Sequence, residues 1–345
     1  MAMQAYEYIR FGGSEVLRLV GRDDPIAGPD DVVVDMRAVG VNPVDLLQRA
    51  GAFRFAGPTR FPVVPGNELS GIVSAVGTRV DSFSVGDAVF ARTDKARLGA
   101  LAERVAIESD LVAPMPRTLD FTTAAAVPLA GTTALQAVRD ALAVRPGERM
   151  LITGGSSMVG MFAIQLAHRA GAHIVTTASA ASEPLLLRLG ADEVVDYRSR
   201  AVDAGAGKFD KVFDLVPGTD LLALLALTRR GGRLVSVAAT PTPGSIRKDY
   251  TMTPWRASFI ESVLWLATLR TRRGARRYGV TYQRLSMRPD GHDLRELGRL
   301  IDAGALEVRI DSVFPFDRAA EAFSRVETRR ARGKVVVTSD MTERR

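Results

Sequence analysis

A glycine-rich turn at residues 154–160 has the residue types and spacing that point most directly to ligand chemistry. It reads Gly-Gly-Ser-Ser-Met-Val-Gly and separates the apolar run 150–153 from the helix-patterned segment 158–170. Such a turn brings backbone N–H groups to the start of a helix, where the partial positive charge favours a pyrophosphate. The dinucleotide pattern G-x-G-x-x-G falls here on Gly155, Ser157 and Gly160. The turn predicts a dinucleotide site; the alternative is an α/β turn that binds nothing.

Two features of the turn refine this prediction. Gly160 is the small residue that lets the helix pack closely on the strand before it. Ser157 replaces the middle glycine, and its hydroxyl could either donate to a phosphate oxygen or crowd the phosphate.

The end of the next strand indicates which dinucleotide is bound. Sites that prefer NAD usually carry Asp or Glu there to bind the ribose 2′-hydroxyl. Here the strand 173–177 leads into Ala178 and Ser179 with no acid. Ser179 could bind a 2′-phosphate, and Arg198 or Arg200 could reach it from the next strand end, which favours NADP(H). The alternative is that both arginines are solvated surface charges.

Helix and strand patterns alternate along the chain around the turn, whereas the first third of the chain has strand patterns only. Up to about residue 113 the sequence has short β-branched runs, such as 31–41 and 71–76, separated by Gly, Pro and Asp turns. From about residue 122, helix and strand patterns alternate, which predicts a parallel sheet with helices on both faces. Residues 308–338 return to strand, helix and strand. The overall prediction is a two-domain α/β protein.

Composition excludes several other classes of protein. The 345 residues contain no cysteine and three histidines, so disulfides, thiolate zinc sites and cysteine nucleophiles are excluded. A net charge of +7 spread over 46 bases and 39 acids does not require nucleic acid. The longest apolar runs, 221–227 and 263–269, are far shorter than the roughly 20 residues of a membrane span. The polar N-terminus lacks a signal peptide pattern, so we expect a cytoplasmic protein.

Several motifs, in the same order over nearly the whole chain, resemble the medium-chain dehydrogenase/reductase superfamily and its zinc-free quinone oxidoreductase branch. They are Val41-Asn-Pro-Val-Asp45, residues 61–86, 130–134, 144–147, the glycine-rich turn, 189–192, 195–198 and 331–335. The resemblance implies a GroES-like β-rich catalytic domain at 1–121, completed by 289–345, and a Rossmann NADP-binding domain with a doubly wound parallel sheet at 122–288. It places the active site in the cleft between these domains.

The resemblance also implies chemistry without a metal. Zinc alcohol dehydrogenases carry a cysteine and a Gly-His-Glu histidine where this chain has Asn42 and Asn67. Hydride would then pass directly from NADPH to an electrophile, either a quinone or an activated C=C bond of an enone.

Residue roles follow from the same resemblance. The implied cofactor contacts are Asn42, Thr133, Gly155, Ser156, Ser157, Met158, Val159, Gly160, Ser179, Tyr197, Arg198, Val237, Ala238, Arg329 and Lys334. The implied substrate pocket contains Asn42, Leu47, Phe53 and Asn67. Leu47 and Phe53 stand where the family often has tyrosines, so no catalytic acid is assigned.

Residues 255–290 are longer than in plain quinone reductases and resemble the branch that includes reticulon-interacting mitochondrial reductases. Seven arginines lie between Arg270 and Arg288. They could contact a phosphorylated substrate arm, a carrier protein or a membrane surface, or form a solvated basic helix. The resemblance implies a homodimer that pairs through a strand near 280–287.

Three alternative functions stay open at this point. The first is an enoyl or 2-alkenal reductase in a biosynthetic pathway. The second is a regulatory protein that senses NADPH, and the third is a redox-neutral cyclase that has lost the cofactor.

Overall fold

A computed structural model describes residues 2–54, 59–202, 207–240 and 254–339. The chain forms two compact units, which we call the first unit (residues 1–132 and 288–345) and the second unit (residues 133–287). The loop predicted at 241–244 lies outside the described residues.

The first unit begins with strands and short helices. They are β1 (Ala2–Glu7), β2 (Arg18–Asp23), β3 (Asp31–Val41), α1 (Pro43–Arg49), β4 (Glu68–Val76), β5 (Ala88–Arg92), β6 (Arg104–Glu108), β7 (Val112–Pro114), α2 (Phe121–Ala124) and α3 (Pro128–Leu135). The second unit follows with β8 (Arg149–Ile152), α4 (Met158–Arg169), β9 (His173–Ala178), α5 (Glu183–Arg188), β10 (Glu193–Asp196), β11 (Phe209–Asp214), α6 (Leu221–Leu227), β12 (Thr228–Ser236), α7 (Pro254–Ala267), α8 (Leu269–Tyr278) and β13 (Thr281–Arg284). The chain then returns to the first unit with α9 (Gly291–Asp302), β14 (Ile310–Pro315), α10 (Ala319–Glu327) and β15 (Lys334–Thr338).

A seven-stranded sheet is the centre of the first unit. Its strand order is β14-β15-β3-β4-β5-β7, and β6 also pairs with β3. β3 is long and rich in valine, and Val34 and Met36 are fully buried in the core with Leu69 and Phe323. The C-terminal strand β15 pairs antiparallel with β3, so the end of the chain completes the sheet that its beginning starts. This confirms the predicted β-rich fold of the first unit.

The second unit contains a six-stranded parallel sheet. Its strand order is β10-β9-β8-β11-β12-β13, and β11 is buried along its whole length. The chain moves outward from β8 in one direction and from β11 in the other, so the strand order reverses between these two strands. In open parallel sheets such a reversal is where ligands bind, at the carboxyl ends of the strands.

The division between the units lies later than the boundary at 121/122 expected from the sequence. The Ser70 hydroxyl donates to the Phe121 carbonyl at 2.6 Å, and Ala125 packs against Ala38 and Val336. Helix α2 therefore packs on the sheet of the first unit, although its sequence resembles the helical segment that follows.

Residues 254–284 extend the second unit at one edge of its sheet. The apolar run predicted as a helix forms α7, the arginine-rich run forms α8, and Thr268 lies between them. The strand predicted at 280–287 is the shorter β13, which is the edge strand of the sheet. Within the described residues, no helix is both long enough and apolar enough to cross a membrane.

Candidate functional site

The glycine-rich turn joins β8 to α4 at the reversal of strand order. The Gly155 N–H donates to the Thr177 carbonyl on β9 at 3.0 Å. A Cβ at Gly155 would lie 2.1 Å from Thr176 Oγ1, and a Cβ at Gly160 would lie 2.6 Å from the Gly154 carbonyl oxygen. Both positions therefore require glycine, because the turn approaches the neighbouring strand and the helix too closely for any side chain.

The Ser157 hydroxyl is used within the turn itself. It donates to the Gly154 carbonyl at 2.9 Å and accepts from the Gly160 N–H at 3.1 Å. Ser157 is the N-cap of α4, a position that favours serine. The hydroxyl proton is therefore engaged inside the turn, and donation to a phosphate would require this bond to break. Both roles considered for Ser157 stay predictions.

Three residues predicted for the adenosine side meet at the ends of β9 and β10. Ala178 pairs with Asp196 at the last position of the two strands, so Ser179 and Tyr197 follow at the same edge. The Tyr197 ring is 60% exposed, and the Arg198 guanidinium carbon lies 5.7 Å from its centre. Arg200 is instead paired with Glu193 at 2.6 Å. Arg198 is therefore the better placed of the two arginines to bind an added phosphate.

A hydrogen-bonded carboxylate organises the other side, at the ends of β8, β11 and β12. Asp214 is buried and accepts from the Thr153 hydroxyl at 2.9 Å and from the Ser236 hydroxyl at 2.7 Å. The Val237 N–H donates to the Asp214 carbonyl, and the Ala238 N–H donates to the Ser236 hydroxyl. Asp214 was not predicted as a site residue, because its hydroxyl partners, Thr153 and Ser236, come from the ends of two other strands.

A pocket of the second unit opens beside this carboxylate. Its volume is about 180 Å³, and its lining includes Asp214, Val216, Ala238, Thr268 and Tyr282. Burial, and after it the charge of Asp214, raises the pKa of the Tyr282 phenol to about 12. At neutral pH the phenol therefore keeps its proton and can act as a hydrogen-bond donor.

The residues of the second unit fit a dinucleotide. Ser179, Tyr197 and Arg198 lie on one side of the turn, and Val237 and Ala238 lie on the other, all along the carboxyl edge of the sheet. The turn supplies a helix N-terminus, and its two glycines let it pack closely on β9 and on the start of α4. Thr133, also predicted, is buried and is the first residue of this unit.

The first unit contains a buried polar cluster, which we call the Lys334 cluster: Asn42, Asp45, Asn67, Glu68 and Lys334. The Lys334 ammonium donates to Asn42 Oδ1 at 2.7 Å and to Glu68 Oε1 at 2.5 Å. The Asn42 amide nitrogen donates to Glu68 Oε1 at 2.7 Å and to the Gly40 carbonyl at 3.1 Å. All three side chains are at most 3% exposed. The orientation of the Asn42 amide is therefore fixed, with its oxygen on the ammonium.

Asp45 and Asn67 form the second half of the Lys334 cluster. Asp45 accepts from the Asn67 amide nitrogen at 2.5 Å and from the Asn42 backbone N–H at 2.7 Å. Burial, reinforced by the nearby charge of Glu68, raises the pKa of Asp45 to about 6 despite these hydrogen bonds. Asp45 and Glu68 were not predicted as site residues. The spacing of Asn42 and Asp45 is a signal for Asp45, because it forms the capping box of α1.

Three other predicted residues of the first unit are less buried than the Lys334 cluster. Leu47 on α1 is 50% exposed, and Phe53 is half-buried beyond the end of that helix. Arg329 is exposed, with a backbone φ of 54°. Lys334, predicted to contact the cofactor, is buried with its ammonium on Asn42 and Glu68. The cofactor and substrate roles of these residues stay predictions.

Comparison with known proteins adds evidence over the whole chain. Residues 28–117 match a family described as alcohol dehydrogenase GroES-like domain, and residues 189–337 match one described as zinc-binding dehydrogenase. The chain is 32% identical to the chloroplastic NADPH-dependent alkenal/one oxidoreductase of Arabidopsis thaliana, over 97% of this chain and 79% of the relative. It is 30% identical to the mitochondrial NAD(P)H oxidoreductase RTN4IP1 of Bos taurus, over 97% of this chain and 89% of the relative.

The chain is also similar to a solved structure over nearly its whole length. The quinone oxidoreductase of Coxiella burnetii superposes with a TM-score of 0.84 and 27% identity, and the match covers 98% of this chain and 99% of that one.

Proposed function

The chain belongs to the medium-chain dehydrogenase/reductase superfamily, in its quinone oxidoreductase-like branch, and on that premise we propose that it is an NADPH-dependent reductase of quinones or enones. The observation that carries the proposal is the arrangement along the carboxyl edge of the parallel sheet. Ser179, Tyr197 and Arg198 lie on one side of the glycine-rich turn, and Val237 and Ala238 lie on the other.

The residues of the second unit have separate tasks in this proposal. The backbone of the turn binds the pyrophosphate, and Arg198 neutralises the 2′-phosphate that distinguishes NADPH from NADH. Asp214 holds the ends of three strands together, so the backbone at Val237 and Ala238 is rigid where the nicotinamide is proposed to lie. When bound, NADPH supplies a hydride, and a proton from solvent completes the reduction of the acceptor.

We propose that the reaction needs no zinc, although one matching family is described as zinc-binding. The chain has no cysteine, and the described residues contain no group of three His, Cys, Asp or Glu side chains that could hold a metal. The Lys334 ammonium also neutralises the Glu68 carboxylate. It thereby supplies the positive charge that a bound cation would otherwise provide. Dialysis against EDTA should therefore leave turnover unchanged, and loss of activity restored by zinc would refute this part.

A homodimer in the cytoplasm is the proposed setting. Among the described residues β13 pairs with β12 alone, so its other edge is proposed to pair with a second copy, which is how exposed strand edges commonly associate. The cytoplasmic location stays a prediction, since the relatives named above are mitochondrial and chloroplastic.

The test is titration with NADPH and NADH, followed by a steady-state assay with a 1,4-quinone and with an enone. We expect NADPH to bind more tightly and to support turnover, with the preferred acceptor defining the substrate class. Tight binding without turnover on either acceptor would favour a sensor, and failure to bind either nucleotide would overturn the proposal.

Two arginine variants make the test specific to the 2′-phosphate. Arg198→Gln should weaken NADPH binding about 10-fold or more, the value of a lost charge-assisted hydrogen bond, and should leave NADH binding unchanged. Arg200→Gln is the matched control, because Arg200 is also exposed but pairs with Glu193. Equal effects of both variants would contradict the assigned role of Arg198.

A further inference from the structure

Helix α7 presents a row of large apolar side chains to solvent. Trp255, Phe259, Val263 and Leu266 are 72%, 67%, 49% and 65% exposed. Their spacing of four, four and three residues places them on one side of the helix. Exposed apolar rows of this size on a folded protein mark a surface that contacts something else.

Helix α8, which follows directly, carries a row of arginines. Thr268 links the two helices: its N–H donates to the Leu264 carbonyl at the end of α7, and its carbonyl accepts from the Arg272 N–H at the start of α8, both at 2.9 Å. Arg270, Arg273 and Arg277 continue the spacing from Leu266 by four, three and four residues, and all three are exposed. We call these three arginines and the four apolar residues the α7–α8 face.

Helix α8 is packed on the protein by its other side. Gly274 and Ala275 of α8 are buried, and Ala275 belongs to the core cluster that contains Leu224 and Leu225 of α6. Thr268, between the two helices, is also buried. The packing of α8 and of Thr268 therefore holds the α7–α8 face on the second unit.

Charge decides what could cover this face. Between residues 254 and 278 the sequence has six arginines and one acid, Glu261, which is half-buried. A second copy docked face to face about a twofold axis would place arginines either on arginines or on the apolar row. Both arrangements are unfavourable, because like charges repel and a charge buried against apolar surface loses its water.

We propose that the α7–α8 face binds the surface of a membrane that contains anionic lipids. Such a surface offers apolar acyl chains for the aromatic and aliphatic side chains, and phosphates for the arginines. Tryptophan favours this boundary because its ring is apolar while its N–H can meet a polar group. The helix would lie on the membrane without crossing it. This inference does not depend on the reductase proposal.

The chain carries its own probe for the test. Its two tryptophans, Trp255 and Trp265, both lie in α7, so the intrinsic fluorescence reports on this helix alone. The protein is titrated with phosphatidylcholine vesicles with and without phosphatidylserine, and bound protein is measured by co-sedimentation. We expect binding and a blue shift of the emission with the anionic vesicles only, both reversed at about 1 M salt. Absence of binding to anionic vesicles overturns the proposal.

Variants separate the face from general electrostatic adsorption. R270Q/R273Q/R277Q should lower partition onto anionic vesicles about 100-fold, since each arginine near the surface contributes roughly a factor of five. F259S/L266S should weaken binding and abolish the blue shift. R10Q/R18Q/R60Q is the matched control, with the same loss of charge at exposed arginines of the first unit.

Three results would count against the proposal. Equal losses in R270Q/R273Q/R277Q and the control triple variant would show adsorption without a defined face. Full vesicle binding by F259S/L266S would show that the apolar row does not enter the membrane. Conversion of a dimer to a monomer by F259S/L266S, without any vesicle binding by the parent protein, would show that a second copy covers the face. Circular dichroism of each variant checks that it is folded.

Discussion

Replacement of Lys334 by methionine should destabilise the first unit severely. The ammonium is 3% exposed and lies 2.5 Å from Glu68 Oε1, and Glu68 has no solvent exposure. Methionine is of similar size but leaves the Glu68 carboxylate buried without its ammonium. Loss of one member of a buried ion pair costs about 3–5 kcal/mol, because the remaining charge has neither water nor its partner.

The hydrogen bonds around Glu68 limit how the structure could adapt. Its Oε2 accepts from the Leu129 backbone N–H at 2.6 Å, and its Oε1 accepts from the Asn42 amide. These donors hold the carboxylate in place, so it cannot turn toward solvent. The double variant K334M/E68Q removes both charges, and it should recover at least half of the lost stability.

The measurement is urea unfolding followed by two signals. Far-ultraviolet circular dichroism reports on the whole chain, whereas tryptophan fluorescence reports on the second unit, which contains both tryptophans. K334M should shift the dichroism transition to lower urea and leave the fluorescence transition nearly unchanged. K211M is the matched control, since Lys211 pairs with Glu148 at a longer 3.4 Å in the second unit. An unshifted K334M transition, or a double variant no more stable than K334M, would refute the reasoning.

Two other predictions concern the turn and the pH dependence. Gly160→Val should weaken NADPH binding at least about 10-fold in a fluorescence titration and cost about 1–3 kcal/mol, because its Cβ would meet the Gly154 carbonyl at 2.6 Å. Gly21→Val, where no atom lies within 4 Å of the added Cβ, should bind NADPH like the parent, and unchanged binding by the Gly160 variant would contradict the turn's role. The raised pKa of Asp45 means that the folded protein holds this proton more tightly than the unfolded chain, so the resulting stabilisation is present below pH 4 and is lost as pH rises through about 6. The shift from 3.8 to about 6 amounts to about 3 kcal/mol in all, of which about 2 kcal/mol falls between pH 4 and pH 7. In urea unfolding, the stability of the parent relative to Asp45→Asn should therefore fall by about 2 kcal/mol from pH 4 to pH 7; a pH-independent difference would show that the pKa is not raised.

Local patterns in the sequence predicted the second unit well. The glycine-rich turn needs only a strand, a tight turn and a helix in succession, and these depend on neighbouring residues. The alternation of strands and helices predicted the parallel sheet, whereas the order of its strands came from the structure. The apolar run and the arginine run between 254 and 278 were also visible in the sequence, but their exposure was not.

The Lys334 cluster depends on the tertiary structure. Lys334 is 266 residues from Glu68 and 292 residues from Asn42 along the chain. No local rule relates positions so far apart, and the sequence alone suggested a cofactor contact for Lys334. Pairing of β15 with β3 places Val335 opposite Val41, and this brings Lys334 and Asn42, the next residues outward along the two strands, close together.

The sequence by itself determined the two kinds of domain, the glycine-rich turn between a strand and a helix, and the lack of cysteine, since each is a matter of composition or of short-range spacing. Only the tertiary structure decided which polar groups are buried together. Asp45 has its raised pKa, Asp214 its strand-end partners and Asn42 its fixed amide because the sheets remove water from these groups and surround them with residues distant in the chain.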